Sequence, residues 1–198
     1  FKQKTAYEML RSLVGSEMCI RDRLWGLGLT HERLAAVGAE VGSDVPLFMA
    51  PGSVVMRGRG EVVTAVPARW SGPVVLLLPG IEVSTARVYD AWRPPSRERT
   101  PPVLPEPCRD AREWMARTFN MLEEPAFAIW PVLAEIQRAA ASLAGRPVRM
   151  SGSGSTFLTA FDDPGEAGRF ASAASAALNL RTQVACLREE SLVPRQVA

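Results

Sequence analysis

Residues 150–161, Met-Ser-Gly-Ser-Gly-Ser-Thr-Phe-Leu-Thr-Ala-Phe, concentrate more potential chemistry than any other part of the chain. Gly152 and Gly154 permit backbone torsions closed to other residues, so successive amides can turn toward one point. Ser151, Ser153, Ser155 and Thr156 add hydroxyls at the same place. Inward-facing amides form an anion-binding concavity, and phosphate is its usual occupant. A flexible linker uses similar letters. Linkers, however, are not normally bounded by Val148 and Met150 on one side and by Phe157, Leu158 and Phe161 on the other. Phosphate binding is the preferred reading, with a structural turn as the alternative. Three familiar glycine loops are excluded by the letters. No lysine follows the last glycine, Phe157 stands where a dinucleotide fingerprint needs its third glycine, and no serine has the glycine spacing of a hydrolase elbow.

Asp44 is the second candidate. It lies in Gly-Ser-Asp-Val-Pro, between a helical pattern and the apolar Leu47-Phe48-Met49. Desolvation there would raise its pKa and suit it to accept a proton. Aspartate is also common in such turns, and spacing alone favours that simpler role.

These groups need elements to hold them. Thr30 is placed to cap a helix over 31–41, with Leu34, Val37 and Val41 at helical spacing. Strands over 54–56 and 62–66 form a hairpin around Gly58-Arg59-Gly60-Glu61. Ser71-Gly72-Pro73 marks a boundary, followed by an apolar strand over 74–78. Ser84 or Thr85 caps a helix to about residue 92. Residues 94–107 hold six prolines and read as a loop. Helices over 109–122 and 131–143, strands over 147–150 and 156–161, a helix over 164–178 and a strand over 182–187 complete the chain. The order predicts an α+β fold with a split β-α-β unit and one extra helix. The five tryptophans are too widely spread for a binding platform and are read as core and interface.

Composition sets the outer limits. The 198 residues are 47% hydrophobic and 22% charged, as in a globular domain or two small ones. No apolar run is long enough to span a bilayer, and a net charge of +2 gives no nucleic-acid footprint. Cys19, Cys108 and Cys186 are scattered and His31 is the one histidine, so no structural metal site is expected. A reducing, cytoplasmic setting is expected. Both lysines fall within the first four residues, while 24–198 carries eighteen arginines against eighteen acidic residues. Residues 1–23 thus stand apart in composition. They resemble translated sequencing-adapter sequence and are set aside as non-native.

Five segments occur in a telling order: Leu-Trp-Gly-Leu-Gly-Leu-Thr (24–30), Val-Gly-Ser-Asp-Val-Pro-Leu-Phe (41–48), Gly-Arg-Gly-Glu (58–61), Val-Ser-Thr-Ala-Arg-Val-Tyr (83–89) and Met-Ser-Gly-Ser-Gly-Ser-Thr (150–156). Together they resemble the GHMP small-molecule kinase superfamily, from residue 24 to the C-terminus. Within it the likeness is best to the branch acting on 4-diphosphocytidyl-2-C-methyl-D-erythritol. Asn120, close before Glu123, resembles an Asn and acidic pair of the same superfamily. The resemblance implies ATP-dependent phosphorylation of a substrate hydroxyl in non-mevalonate isoprenoid synthesis, with Mg²⁺ accompanying the nucleotide. Its partners would be a small molecule and a nucleotide, with no nucleic acid or membrane. It implies Asp44 as the catalytic carboxylate and Thr85 and Tyr89 beside the substrate. It makes Ser151, Gly152, Ser153, Gly154 and Ser155 a phosphate and substrate loop.

By the same resemblance, residues 24–71 are a remnant of the N-terminal kinase domain. Residues 72–198 are a ferredoxin-like C-terminal domain. The lysine-bearing first motif and the long Gly/Ser-rich ATP loop have no counterpart here, so this polypeptide is expected to be inactive as it stands. A homoserine- or mevalonate-type kinase, or a non-catalytic ferredoxin-like binding module, are the competing readings.

Overall fold

The computed structural model describes residues 20, 22–42, 45–49, 53–58, 60, 62–68, 70–93 and 107–187. These fall into two compact units, one within Phe1–Ala68 and the other within Arg69–Arg188.

In the first unit, Thr30 caps helix α1 (His31–Val41) as predicted, its side chain accepting from the Arg33 amide. Leu34 and Gly38 are the buried positions of α1. Val37 and Val41, expected on the same inward stripe, are exposed. The helix meets its neighbour through a narrower strip than the spacing implied. That neighbour is a 3₁₀ turn, Val45–Met49, which buries Val45, Pro46 and Met49. Strands β1 (Ser53–Arg57) and β2 (Val62–Val66) form the predicted hairpin, with Ser53 opposite Val66 and Arg57 opposite Val62. Trp25 is exposed rather than buried.

The second unit is built on a four-stranded antiparallel sheet. Its strands are β3 (Gly72–Leu78), β4 (Arg149–Met150), β5 (Phe157–Ala160) and β6 (Arg181–Leu187), in the spatial order β4-β5-β3-β6. The central strand β3 pairs with β5 on one side and β6 on the other. β5 and β6 thus run parallel without touching, joined across β3 by helix α6 (Pro164–Leu178). That is the split β-α-β arrangement of ferredoxin-like folds.

Side chains alternate across β3. Val75 and Leu77, opposite Thr159 and Phe157, face a core with Leu133, Ala140, Phe170 and Ala174 from two helices, α5 (Pro131–Ala144) and α6. Val74, opposite Ala160, faces the other way onto Ala111 and Met115 of helix α3 (Ala111–Arg117). Covered on both faces, β3 has to be apolar along its length, which explains Val-Val-Leu-Leu-Leu. Pro131 and Pro164 open α5 and α6, and the Asp163 side chain caps α6. Gly145 ends α5 and Asn179 ends α6, both in the left-handed region.

The helix expected over 109–122 is shorter, α3 stopping at Arg117, and a further helix that was not expected, α4 (Glu123–Ile129), begins after an intervening stretch. Thr118 is extended, its hydroxyl donating to the Met115 carbonyl and its own carbonyl accepting from Arg149 Nε. Tertiary polar bonds therefore override helical continuation there. The strand expected over 147–150 is shorter, because the Pro147 carbonyl accepts from the buried Thr159 hydroxyl. Most of the proline-rich 94–107 lies outside the described residues.

Candidate functional site

The Ser/Gly loop connects β4 to β5. Its ends are closed by its own backbone, with the Ser151 amide donating to the Thr156 carbonyl at 2.8 Å. The Gly154 amide donates to the Ser151 carbonyl at 3.1 Å. Gly152 and Gly154 have φ of 57° and 95°, the region for which glycine was expected. At Gly154 a Cβ would come within 2.8 Å of Met150 Sδ, so a larger residue would meet both a strained backbone and a side chain it has to displace. Two of the loop's amides are thus consumed by the turn. Among the described residues, the N–H groups of Gly152, Ser153 and Ser155 donate to no protein acceptor.

Thr85 lies against this loop. It opens helix α2 (Thr85–Ala91), whose N-cap Ser84 accepts from the Arg87 amide. The Thr85 and Ser153 hydroxyls share a 2.9 Å hydrogen bond across 68 residues of sequence. α2 is seated by the fully buried Val88 and by the Arg87 guanidinium, which lies 5.2 Å from the Trp130 ring centroid. Tyr89 follows Thr85 by four residues and so shares its side of the helix, with its ring exposed. Asp44 lies outside the described residues.

Asn120 and Glu123 join the site from the stretch between α3 and α4. Asn120 Nδ2 donates to the Met150 and Gly152 carbonyls at 2.8 and 2.7 Å. Its Oδ1 accepts from the Leu122 amide. Glu123 Oε1 accepts from the Met150 amide at 2.8 Å and from Gln137 Nε2 at 3.1 Å. The sequence marked the pair but not these contacts, and it missed Gln137 and α4 altogether. Two acids before Pro125 were an available start signal for α4.

Among the described residues no group of three His, Cys, Asp or Glu side chains could hold a metal ion. No described helix is long and apolar enough to cross a membrane. The site therefore offers free amides, hydroxyls and one tethered carboxylate, a donor-rich surface suited to oxyanions.

Comparison with known proteins places this geometry. Residues 106–180 match the family model for the C-terminal domain of GHMP kinases. The chain is 38% identical over 144 residues to the 4-diphosphocytidyl-2-C-methyl-D-erythritol kinase of Sinorhizobium medicae (strain WSM419), covering 71% of this chain and 46% of that protein. It is 37% identical over 145 residues to the kinase of the same name from Geobacter sp. (strain M21), covering 72% and 50%. It thus spans about half the length of the curated relatives it matches. A crystal structure of 4-(cytidine 5'-diphospho)-2C-methyl-D-erythritol kinase superimposes with a TM-score of 0.67 at 30% identity, over 91% of this chain and 62% of that one. The homoserine kinase of Cytophaga hutchinsonii shares the fold, with a TM-score of 0.59 at 14% identity over 86% and 61%. With the predicted α+β architecture and the loop present, residues 106–180 match the C-terminal domain of GHMP kinases, and the chain is similar in sequence to 4-diphosphocytidyl-2-C-methyl-D-erythritol kinases.

Proposed function

We propose that the chain serves ATP-dependent phosphorylation of a hydroxyl of 4-diphosphocytidyl-2-C-methyl-D-erythritol, with Mg²⁺ arriving on the nucleotide. The observation carrying this reading is the Thr85–Ser153 hydroxyl pair. It joins the segment resembling the family's substrate-binding stretch to the loop resembling its phosphate-proximal motif. Phosphoryl transfer needs positioning and charge stabilisation more than covalent work by the protein. Fixed amides and hydroxyls beside developing phosphoryl charge supply that stabilisation at little reorganisation cost. In this reading Asp44 takes the proton of the substrate hydroxyl as its oxygen attacks the γ-phosphorus, and ADP leaves with the bridging oxygen. Thr85 and Tyr89 orient the substrate, and residues 151–155 line the phosphate side.

The reading is tested by replacing the matching segment of the Sinorhizobium medicae enzyme with residues 24–187 of this chain. The chimera is expected to release ADP with 4-diphosphocytidyl-2-C-methyl-D-erythritol and not with homoserine. Asp44→Asn should lower kcat by at least ~100-fold, and Thr85→Val should act mainly on KM for the substrate, by about tenfold. A folded chimera that turns over homoserine instead, or keeps full kcat with Asp44→Asn, would overturn the assignment.

A further inference from the structure

β4 is the outermost strand of its sheet, so one side of its backbone has no neighbouring strand. In an antiparallel pair, the N–H and C=O of one residue point to the same side. For Met150 that side faces away from β5, and both groups are nevertheless bonded, the amide to Glu123 and the carbonyl to Asn120. The two side chains stand in for a strand. Asn120 then extends the pairing one step beyond the sheet, to the Gly152 carbonyl inside the loop.

The second bond has a directional consequence. The peptide joining Gly152 to Ser153 is trans, the one cis bond among the described residues being Gly154–Ser155. In a trans peptide the carbonyl and the amide point in opposite directions. Holding the Gly152 carbonyl on Asn120 therefore turns the Ser153 N–H to the opposite side, where it donates to no protein acceptor. Neither clamp residue is free to drift. The Asn120 Oδ1 is engaged by the Leu122 amide, and Glu123 is engaged by Gln137 of α5.

We propose that Asn120 and Glu123 are positioning residues of the phosphate loop, setting its peptide orientation so that the Ser153 amide is presented to a phosphoryl oxygen of the ligand. This inference rests on the kinase reading above. Phosphoryl oxygens could come from the nucleotide or from the substrate's diphosphate, and the two are separated by the probes used.

The test follows amide hydrogen exchange of residues 149–156 in the full chain, alongside binding of Mg-ADP and of 4-diphosphocytidyl-2-C-methyl-D-erythritol. Asn120→Asp keeps the shape but replaces two donated bonds with an acceptor facing two carbonyls. It should speed exchange at Ser151 and Gly154 by at least ~10-fold, leaving β3 and β6 unchanged. It should weaken the bound probe by a similar factor. Glu123→Gln retains an oxygen acceptor for the Met150 amide and should behave nearly as the parent, whereas Glu123→Leu should release β4. Weakening confined to ADP would assign the nucleotide to the Ser153 amide, and weakening confined to the cytidylyl compound would assign the substrate. Unchanged loop exchange in a folded Asn120→Asp chain overturns the clamp. Released loop exchange with undiminished probe binding overturns the role given to Ser153. If the parent binds neither probe, the ligand role given to Ser153 falls, while the exchange data still decide the clamp and the chimera decides the kinase reading.

Discussion

Gly154 shows how closely single residues are specified in this site. Its φ of 95° is costly for any residue with a side chain, and an added Cβ would press within 2.8 Å of Met150 Sδ. Gly154→Ala is therefore expected to lower stability by about 1–3 kcal/mol, read as a reduced urea midpoint with an unchanged slope. The loop was legible in the sequence because its glycines and hydroxyls are contiguous and bounded by apolar strands. The Thr85–Ser153 contact was not, since nothing local to either residue reports a partner 68 positions away. Asn120 was visible only as half of a family-like pair. Its work lies in bonds to backbone carbonyls, which every residue offers alike.

At the level of elements, the start of α3 depends on a carboxylate. Asp110 caps the helix by accepting from the Glu113 amide, and Glu113 reaches back to accept from the Arg109 amide. That backbone bond, followed by the bond from the Arg109 side chain, holds the Glu113 carboxyl below its ordinary value near 4.5. A depressed carboxylate stabilises the fold above the unfolded-state value, and the contribution disappears as pH falls through the lower folded value. Exchange protection across α3 should thus drop on acidification from pH 4.5 downward, and Glu113→Gln should remove that pH dependence. The same region explains where element prediction failed. Helical spacing continued past Arg117, but Thr118 and Asn120 spend their polar groups on Arg149, Met150 and Gly152. Long-range bonds of that kind leave no periodic trace. By contrast α5 and α6 were placed almost to the residue, because proline at the start and a left-handed Gly or Asn at the end punctuate both.

For the molecule as a whole, the Arg69–Arg188 unit draws its stability from a sheet packed on both faces. Leu77 of β3 is fully buried in the core that the sheet forms with α5 and α6, and Leu77→Ala should cost about 2–5 kcal/mol. Calorimetry should show it as a lowered transition in this chain. Alternating strand and helix patterns made the split β-α-β order readable, whereas the second covering helix, α3, was foreseen as a helix but not as the cover for Val74 and Ala160. Strands at the rim of a sheet are also where chains stick to one another, because unpaired backbone groups template foreign strands. By occupying the outer N–H and C=O of Met150, Asn120 and Glu123 blunt that hazard at β4. The residues that set the loop for its ligand thereby also keep one margin of the sheet from recruiting a second molecule into an aggregate.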